Sequence, residues 1–195
     1  MFSIFKRRKK QSIEKGKEER IIYMSNHLAK EDINHLHERL PKDVHFVLFH
    51  ESVYKPNEKV LQNRNVTLFD QLSPQNVEKL LKMVENGEPV LVFPELRISR
   101  SGIVMKIYEE FAYVAAKAKA VIYPVAILYE GKGNGSFAGM AESEPKIKIG
   151  EPFQISESDY EKELGSGIIY RKLTDIYFSL LNKENVNLFN ELLIA

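Results

Sequence analysis

Residues 20–32 read RIIYMSNHLAKED and join a short apolar run to a histidine and an aspartate. Residues 20–24 predict a buried strand, and Asp32 opens a predicted helix that Pro41 stops. On a straight helix, residues five apart lie on different faces, so His27 and Asp32 touch only if the chain turns between them. A strand-to-helix turn permits that contact, and Asp32 then orients the ring of a base. The same spacing also fits a surface histidine near a helix-start aspartate, which is the commoner arrangement.

A second motif, residues 92–102, reads VFPELRISRSG and follows the apolar strand predicted at 90–93. It places Glu95, Arg97 and Arg100 just beyond that strand. The guanidinium of arginine suits bidentate binding of phosphate. The helix expected over residues 103–118 would turn its positive end toward the same loop. A charged, solvated loop is the alternative.

The order of predicted elements favours a single α/β domain with a mixed, mostly parallel sheet flanked by helices. Strands are expected at 20–24, 44–49, 66–69, 90–93, 121–128 and 146–149, and helices at 32–40, 74–86, 103–118 and 168–182. Pro124 lies inside a predicted strand, which implies an edge position or a bulge. Ligands of such folds collect beyond the strand ends, where the two motifs would meet.

Composition narrows the chemistry. The chain has 195 residues, of which 44% are hydrophobic and 28% charged, as in ordinary globular domains. It contains no cysteine, which excludes disulfides, thiol nucleophiles and cysteine-bound zinc. Five histidines fall within residues 27–50, but their spacing matches no recognised metal motif, so we expect no metal site.

The N-terminus differs in charge from the rest of the chain. Residues 1–20 carry eight Lys or Arg against three Glu, although the net charge of the whole chain is +1. We therefore divide the chain into a basic segment, 1–19, and a domain, 20–195. The segment fits either a solvated tail or a membrane-surface anchor with Phe2, Ile4 and Phe5 in the lipid interface. Nucleic acid is not expected, because the remainder is acidic and offers no nucleic-acid motif.

Together the two motifs resemble those of the glycerophospholipid acyltransferases, the family of 1-acylglycerol-3-phosphate acyltransferase. That family has Asn-His, four residues and Asp, as in residues 26–32, and Phe-Pro-Glu-Gly, which is similar to residues 93–96. Its nearest branch looks like the acyltransferase domain of the bifunctional 2-acylglycerophosphoethanolamine acyltransferase/acyl-ACP synthetase. The segments similar to that branch are 97–99, 101–102, 105–108, 114–117 and 188–193.

The resemblance implies a mechanism without a covalent enzyme intermediate and without cofactor or metal. His27 would be the general base on a glycerol hydroxyl, and Asp32 would orient it. The residues that it implies for binding the glycerophosphate part of the acceptor are Asn26, Pro94, Glu95, Arg97 and Arg100.

The resemblance also implies partners and a location. The donor would be acyl-ACP or acyl-CoA, and the acceptor a lysophospholipid such as lysophosphatidylethanolamine or lysophosphatidic acid. An acyl-ACP synthetase domain or protein is a further expected partner. The chain would be cytoplasmic and peripheral at the inner face of the cell membrane.

The sequence also departs from the family pattern. Leu96 replaces the usual glycine, and we expect it to deny the loop a positive φ and a close backbone approach. Lys30 and Glu31 stand where apolar or aromatic residues are common. These departures favour an alternative, in which the chain is a catalytically degenerate module of the same fold that binds lipid or a carrier protein.

Overall fold

The computed structural model describes residues 19–49, 62, 65–99, 102–129, 144–162 and 164–181, and within them the chain forms a six-stranded sheet. The strands are β1 (Ile21–Ser25), β2 (His45–Phe49), β3 (Val66–Phe69), β4 (Val90–Val92), β5 (Val121–Leu128) and β6 (Lys146–Ile149). Their order is β3-β2-β4-β1-β5-β6, and every neighbouring pair is parallel except β5–β6. The predicted α/β domain with a mostly parallel sheet is confirmed.

Helices pack beside this sheet. They are α1 (Asp32–Arg39), α2 (Pro74–Glu85), α3 (Glu109–Ala118), α4 (Glu157–Glu161) and α5 (Gly165–Leu180). The start of α2 follows its sequence signal, because the Ser73 side chain accepts from the N–H of Asn76 and Pro74 takes the first turn. Among the helices that the structure describes, none combines the length and apolarity that a membrane crossing requires.

The strand order places the two motifs side by side. β1 and β4 are adjacent and parallel at the centre of the sheet, with Met24 paired to Val92. All three residues of β4 are completely buried, which explains its continuous apolar sequence. Both strands end at the same edge, so the loops that carry the motifs leave the sheet together.

Pro124 lies at a bulge. β5 pairs with β1 on one side and β6 on the other, so the edge alternative is wrong. Val125 pairs with Ile149, whereas Ile122 forms an isolated bridge to Phe153. Two residues of β5 therefore lie opposite three of the partner segment, which is the bulge that a proline without an N–H predicts.

The helix expected over residues 103–118 begins only at Glu109, so that expectation is wrong for its first six residues. Two of these residues instead give their backbone N–H groups to the loop of the second motif. The N–H of Met105 donates to the Glu95 side chain and the N–H of Tyr108 to the Pro94 carbonyl. The positive end of the helix consequently lies at Glu109 and not at residue 103. The final helix starts at Gly165, three residues before its predicted start.

Two glycines in the first turn of α5 allow a matched test of helix packing. A Cβ on Gly165 would lie 2.6 Å from the Ala112 Cβ, whereas one on Gly167 would meet nothing within 4 Å. We expect Gly165→Ala to lower the free energy of unfolding by about 1–3 kcal/mol through overpacking. Gly167→Ala should leave it unchanged or raise it by up to about 1 kcal/mol, because alanine favours helix. Urea denaturation followed by circular dichroism measures both, and equal losses would contradict close packing of α5 on α3.

Candidate active site

His27 and Asp32 are in direct contact. β1 ends at Ser25 and α1 begins at Asp32, and the turn between them brings the His27 Nδ1 to 2.9 Å from the Asp32 Oδ2. Both side chains are completely buried. An ionised carboxylate only accepts hydrogen bonds, so Nδ1 carries the proton and the lone pair of the neutral ring lies on Nε2. This arrangement is that of a general base held by a carboxylate.

Further donors fix the Asp32 carboxylate. Its Oδ2 also accepts from the N–H of Leu28 at 2.6 Å and of Ala29 at 3.0 Å. Its Oδ1 accepts from the hydroxyl of Tyr129 at 2.6 Å. Burial, with the Asp32 charge beside it, raises the pKa of Tyr129 far above its usual value, so the phenol remains a donor.

The second motif supports the first. The His27 ring stacks on Phe93, with 4.1 Å between ring centroids. The His27 N–H donates to the Glu95 Oε1 at 3.2 Å, and the His27 carbonyl accepts from the Ser99 N–H at 2.7 Å. The loop that follows β4 therefore holds both the backbone N–H and the backbone carbonyl of His27, and the two motifs form one site.

Glu95 links two loops from inside the domain. Its Oε2 accepts from the Met105 N–H at 2.8 Å, while its Oε1 holds His27, and only 1% of the residue is exposed. Burial raises the pKa of the Glu95 carboxyl to about 7, against the opposing effect of the N–H groups of Met105 and His27. A charge on this carboxyl is therefore costly near neutral pH.

The remaining residues predicted to bind substrate separate into two groups. The Asn26 amide donates to the Ile127 carbonyl at 3.0 Å and accepts from its N–H at 2.7 Å, which ties the histidine loop to β5. Pro94 is buried, as are Asn26 and Glu95. Arg97, by contrast, is exposed, and Arg100 lies outside the described residues. Of these five, the described residue that faces solvent is Arg97.

Leu96 does adopt a positive φ, so the expectation that leucine denies it is wrong. Its φ is 59°, and only 4% of the residue is exposed. A leucine in the left-handed region costs about 1–2 kcal/mol, whereas burying its side chain contributes about 1.5–3 kcal/mol. Burial thus offsets the strain, and the loop has a positive φ at the position where the similar motif has glycine.

Two tyrosines at the site escaped the sequence reasoning. Tyr129 is the first residue after the apolar strand β5, which lies next to β1. A polar side chain directly beyond such a strand is the sequence signal that could have indicated it. Tyr177 of α5 donates to the Gly102 carbonyl at the far end of the second motif. Only the packing of α5 reveals that contact. Within the part of the chain that the structure describes, no group of His, Asp and Glu is placed to hold a metal ion.

Comparison with known proteins identifies the family. The sequence profile of the acyltransferases matches residues 5–128, well over half of the chain. This chain belongs to the acyltransferase family. The fold of this acyltransferase is also similar to the crystal structure of the 1-acyl-sn-glycerophosphate (LPA) acyltransferase PlsC from Thermotoga maritima. The TM-score is 0.57 at 20% sequence identity, over 83% of this chain and 68% of PlsC.

Proposed function

We propose that this acyltransferase moves a fatty acyl group from a thioester, acyl-ACP or acyl-CoA, to the free hydroxyl of a lysophospholipid. The observation that carries the proposal is the 2.9 Å contact between His27 Nδ1 and Asp32 Oδ2. It gives one ring nitrogen a fixed proton and the other a lone pair, as deprotonation of an alcohol requires. The match to PlsC supports lysophosphatidic acid as an acceptor, and the sequence resemblance favours lysophosphatidylethanolamine.

The chemical step needs no covalent enzyme intermediate. The Nε2 of His27 takes the proton of the acceptor hydroxyl as its oxygen attacks the thioester carbonyl carbon. The C–O bond forms, the C–S bond breaks, and the imidazolium returns its proton to the leaving thiolate. Asp32 stabilises the imidazolium between these transfers, because its Oδ2 already accepts from Nδ1.

The acceptor phosphate would bind on the solvent side of the second motif. Arg97 is exposed there, two residues after Glu95 in sequence, and Arg100 follows three residues later. A guanidinium pairs with phosphate through two parallel hydrogen bonds. The side chains of Asn26, Pro94 and Glu95 are buried, so we assign them the support of the loops rather than contact with the acceptor.

The setting of the reaction is also part of the proposal. A lysophospholipid acceptor resides in a bilayer, so the enzyme would work on a membrane surface from the cytoplasmic side. The basic residues 1–20 suit the anionic headgroups of that surface. A carrier protein or coenzyme A would deliver the acyl group, and an acyl-ACP synthetase would load the carrier.

One observation favours a second function. His27 has no exposed surface, so an acceptor reaches its ring only after a local opening of the site. A protein in which that opening is suppressed would bind lipid or acyl carrier without transferring the acyl group. The turn at Leu96 no longer supports this alternative, because its backbone has the positive φ that glycine would give.

Product formation separates the two functions. Purified protein is incubated with labelled acyl-ACP or acyl-CoA and with vesicles containing one lysophospholipid at a time, and diacyl product is measured by chromatography. The enzyme predicts a labelled diacyl phospholipid with at least one acceptor. Vesicle flotation without product, across all donors and acceptors and from folded protein, would instead favour the binding module.

A further inference from the structure

We propose that Tyr129 is a positioning residue that sets the basicity of His27 through Asp32. The proposal rests on the proposed function, and it adds a third side chain to the pair that the motif supplies. Tyr129 donates to the Asp32 Oδ1 at 2.6 Å, and Asp32 accepts from the His27 Nδ1 at 2.9 Å through its other oxygen. The three side chains therefore form one continuous chain of hydrogen bonds from β5 to the base.

The fold holds the tyrosine in place for this contact. β5 runs parallel to β1, with Ser25 paired to Val125, so the residues after both strands emerge at the same edge. Beyond the strand pairing, the Asn26 amide makes two hydrogen bonds with Ile127. Tyr129 lies two residues after Ile127 and is only 5% exposed. Its hydroxyl is thus fixed relative to the loop that carries His27.

The contact is electrostatic as well as geometric. The Asp32 carboxylate distributes its charge over the His27 ring, two backbone N–H groups and the phenol. A phenol donor shares part of that charge, which weakens the pull of the carboxylate on the imidazole proton. Without the hydroxyl, more of the charge would act on His27, and the imidazolium would be favoured to a higher pH.

Other charged and titratable groups face the same chain of hydrogen bonds. Glu31, at the start of α1, acts on Tyr129 through its charge, and the His35 ring of the same helix lies edge-on to Tyr129 at 6.1 Å. From the second motif, Glu95 holds the His27 backbone and Arg97 acts on Glu95. None of these groups is altered when Tyr129 is replaced by phenylalanine, so the variant measures the effect of the Tyr129 hydroxyl alone.

The test is the Tyr129→Phe variant of the full chain, followed by NMR titration of its histidines. The ring volume is retained, and the signals of His27 are assigned by their disappearance in His27→Asn. We expect the midpoint of the His27 titration to rise by about half to one pH unit as the carboxylate charge concentrates on the imidazole. In the transfer assay, the acidic limb of the pH profile of kcat should move by the same amount. KM for the acceptor should stay within twofold, because the buried Tyr129 hydroxyl acts through Asp32.

Tyr23→Phe is the matched control, since Tyr23 is 8% exposed and belongs to β1. It removes another buried phenol, and the His27 midpoint should not move. A loss of stability in Tyr129→Phe with an unchanged His27 midpoint would assign Tyr129 a structural role only and overturn the proposal. The NMR measurement does not require turnover, so an absence of acyl transfer would count against the proposed function and leave the test of Tyr129 intact.

Discussion

Replacing His27 by asparagine should lower kcat for acyl transfer by about 10³-fold or more, because the variant lacks the nitrogen lone pair that accepts the hydroxyl proton. Asparagine is preferred to alanine for this test. Its side-chain amide can donate to the Asp32 Oδ2, which now accepts from Nδ1 at 2.9 Å. The buried carboxylate then keeps a partner. Product formation under saturating donor and acceptor, with circular dichroism and urea denaturation on the same samples, measures the effect.

His27→Ala is expected to lose stability as well as activity. It leaves a cavity against Phe93 and removes one of the four donors to a completely buried carboxylate, and a hydrogen bond to a charged group contributes about 1.5–3 kcal/mol. His45→Asn serves as the control, because His45 lies at the opposite end of the sheet and contacts Thr67 and Glu88. It should retain transfer. Near wild-type transfer by folded His27→Asn would refute the proposed mechanism.

Much of the fold could be predicted from the sequence, because its apolar runs coincide with the strands and its helix signals coincide with the helices. All six strands that the structure describes lie within one residue of their predicted bounds, and α2 starts at Pro74 as predicted. The predicted start of α3 was wrong because residues 103–108 have helical periodicity, but Met105 and Tyr108 among them give their N–H groups to Glu95 and Pro94. Such tertiary hydrogen bonds override local pattern, and no single-sequence signal contains them.

The sequence predicted which residues form the candidate site, but not which of them are buried and which are exposed. The contact of His27 with Asp32 required only a turn between strand and helix, which the sequence indicated. Glu95 was expected to bind the acceptor because the family resemblance implied that role, whereas the residue is only 1% exposed in the folded chain. Its burial depends on a pocket formed by His27 and Met105, whose backbone N–H groups converge only in the folded chain.

Ionisation of Glu95 should make the protein less stable as the pH rises through neutrality. Burial raises the pKa of this carboxyl from 4.5 to about 7. Between these values the folded state binds more protons than the unfolded state, so the free energy of unfolding falls as pH increases. The contribution of Glu95 is fully present below about pH 4.5 and is lost as the pH passes 7. For one such group, the loss is roughly 3 kcal/mol.

Comparing the free energy of unfolding of the wild-type protein with that of Glu95→Gln isolates the pH dependence caused by Glu95, because the other titrating groups are common to both proteins. Glutamine has one acceptor oxygen for the N–H groups of His27 and Met105, so the variant should be less stable at pH 4.5. The stability gap should then narrow by roughly 3 kcal/mol as wild-type Glu95 ionises toward pH 7.5. Urea denaturation at four pH values measures the gap, with Glu110→Gln as an exposed-carboxylate control. A gap that widens with pH would mean that the two N–H groups, rather than burial, determine the ionisation of Glu95.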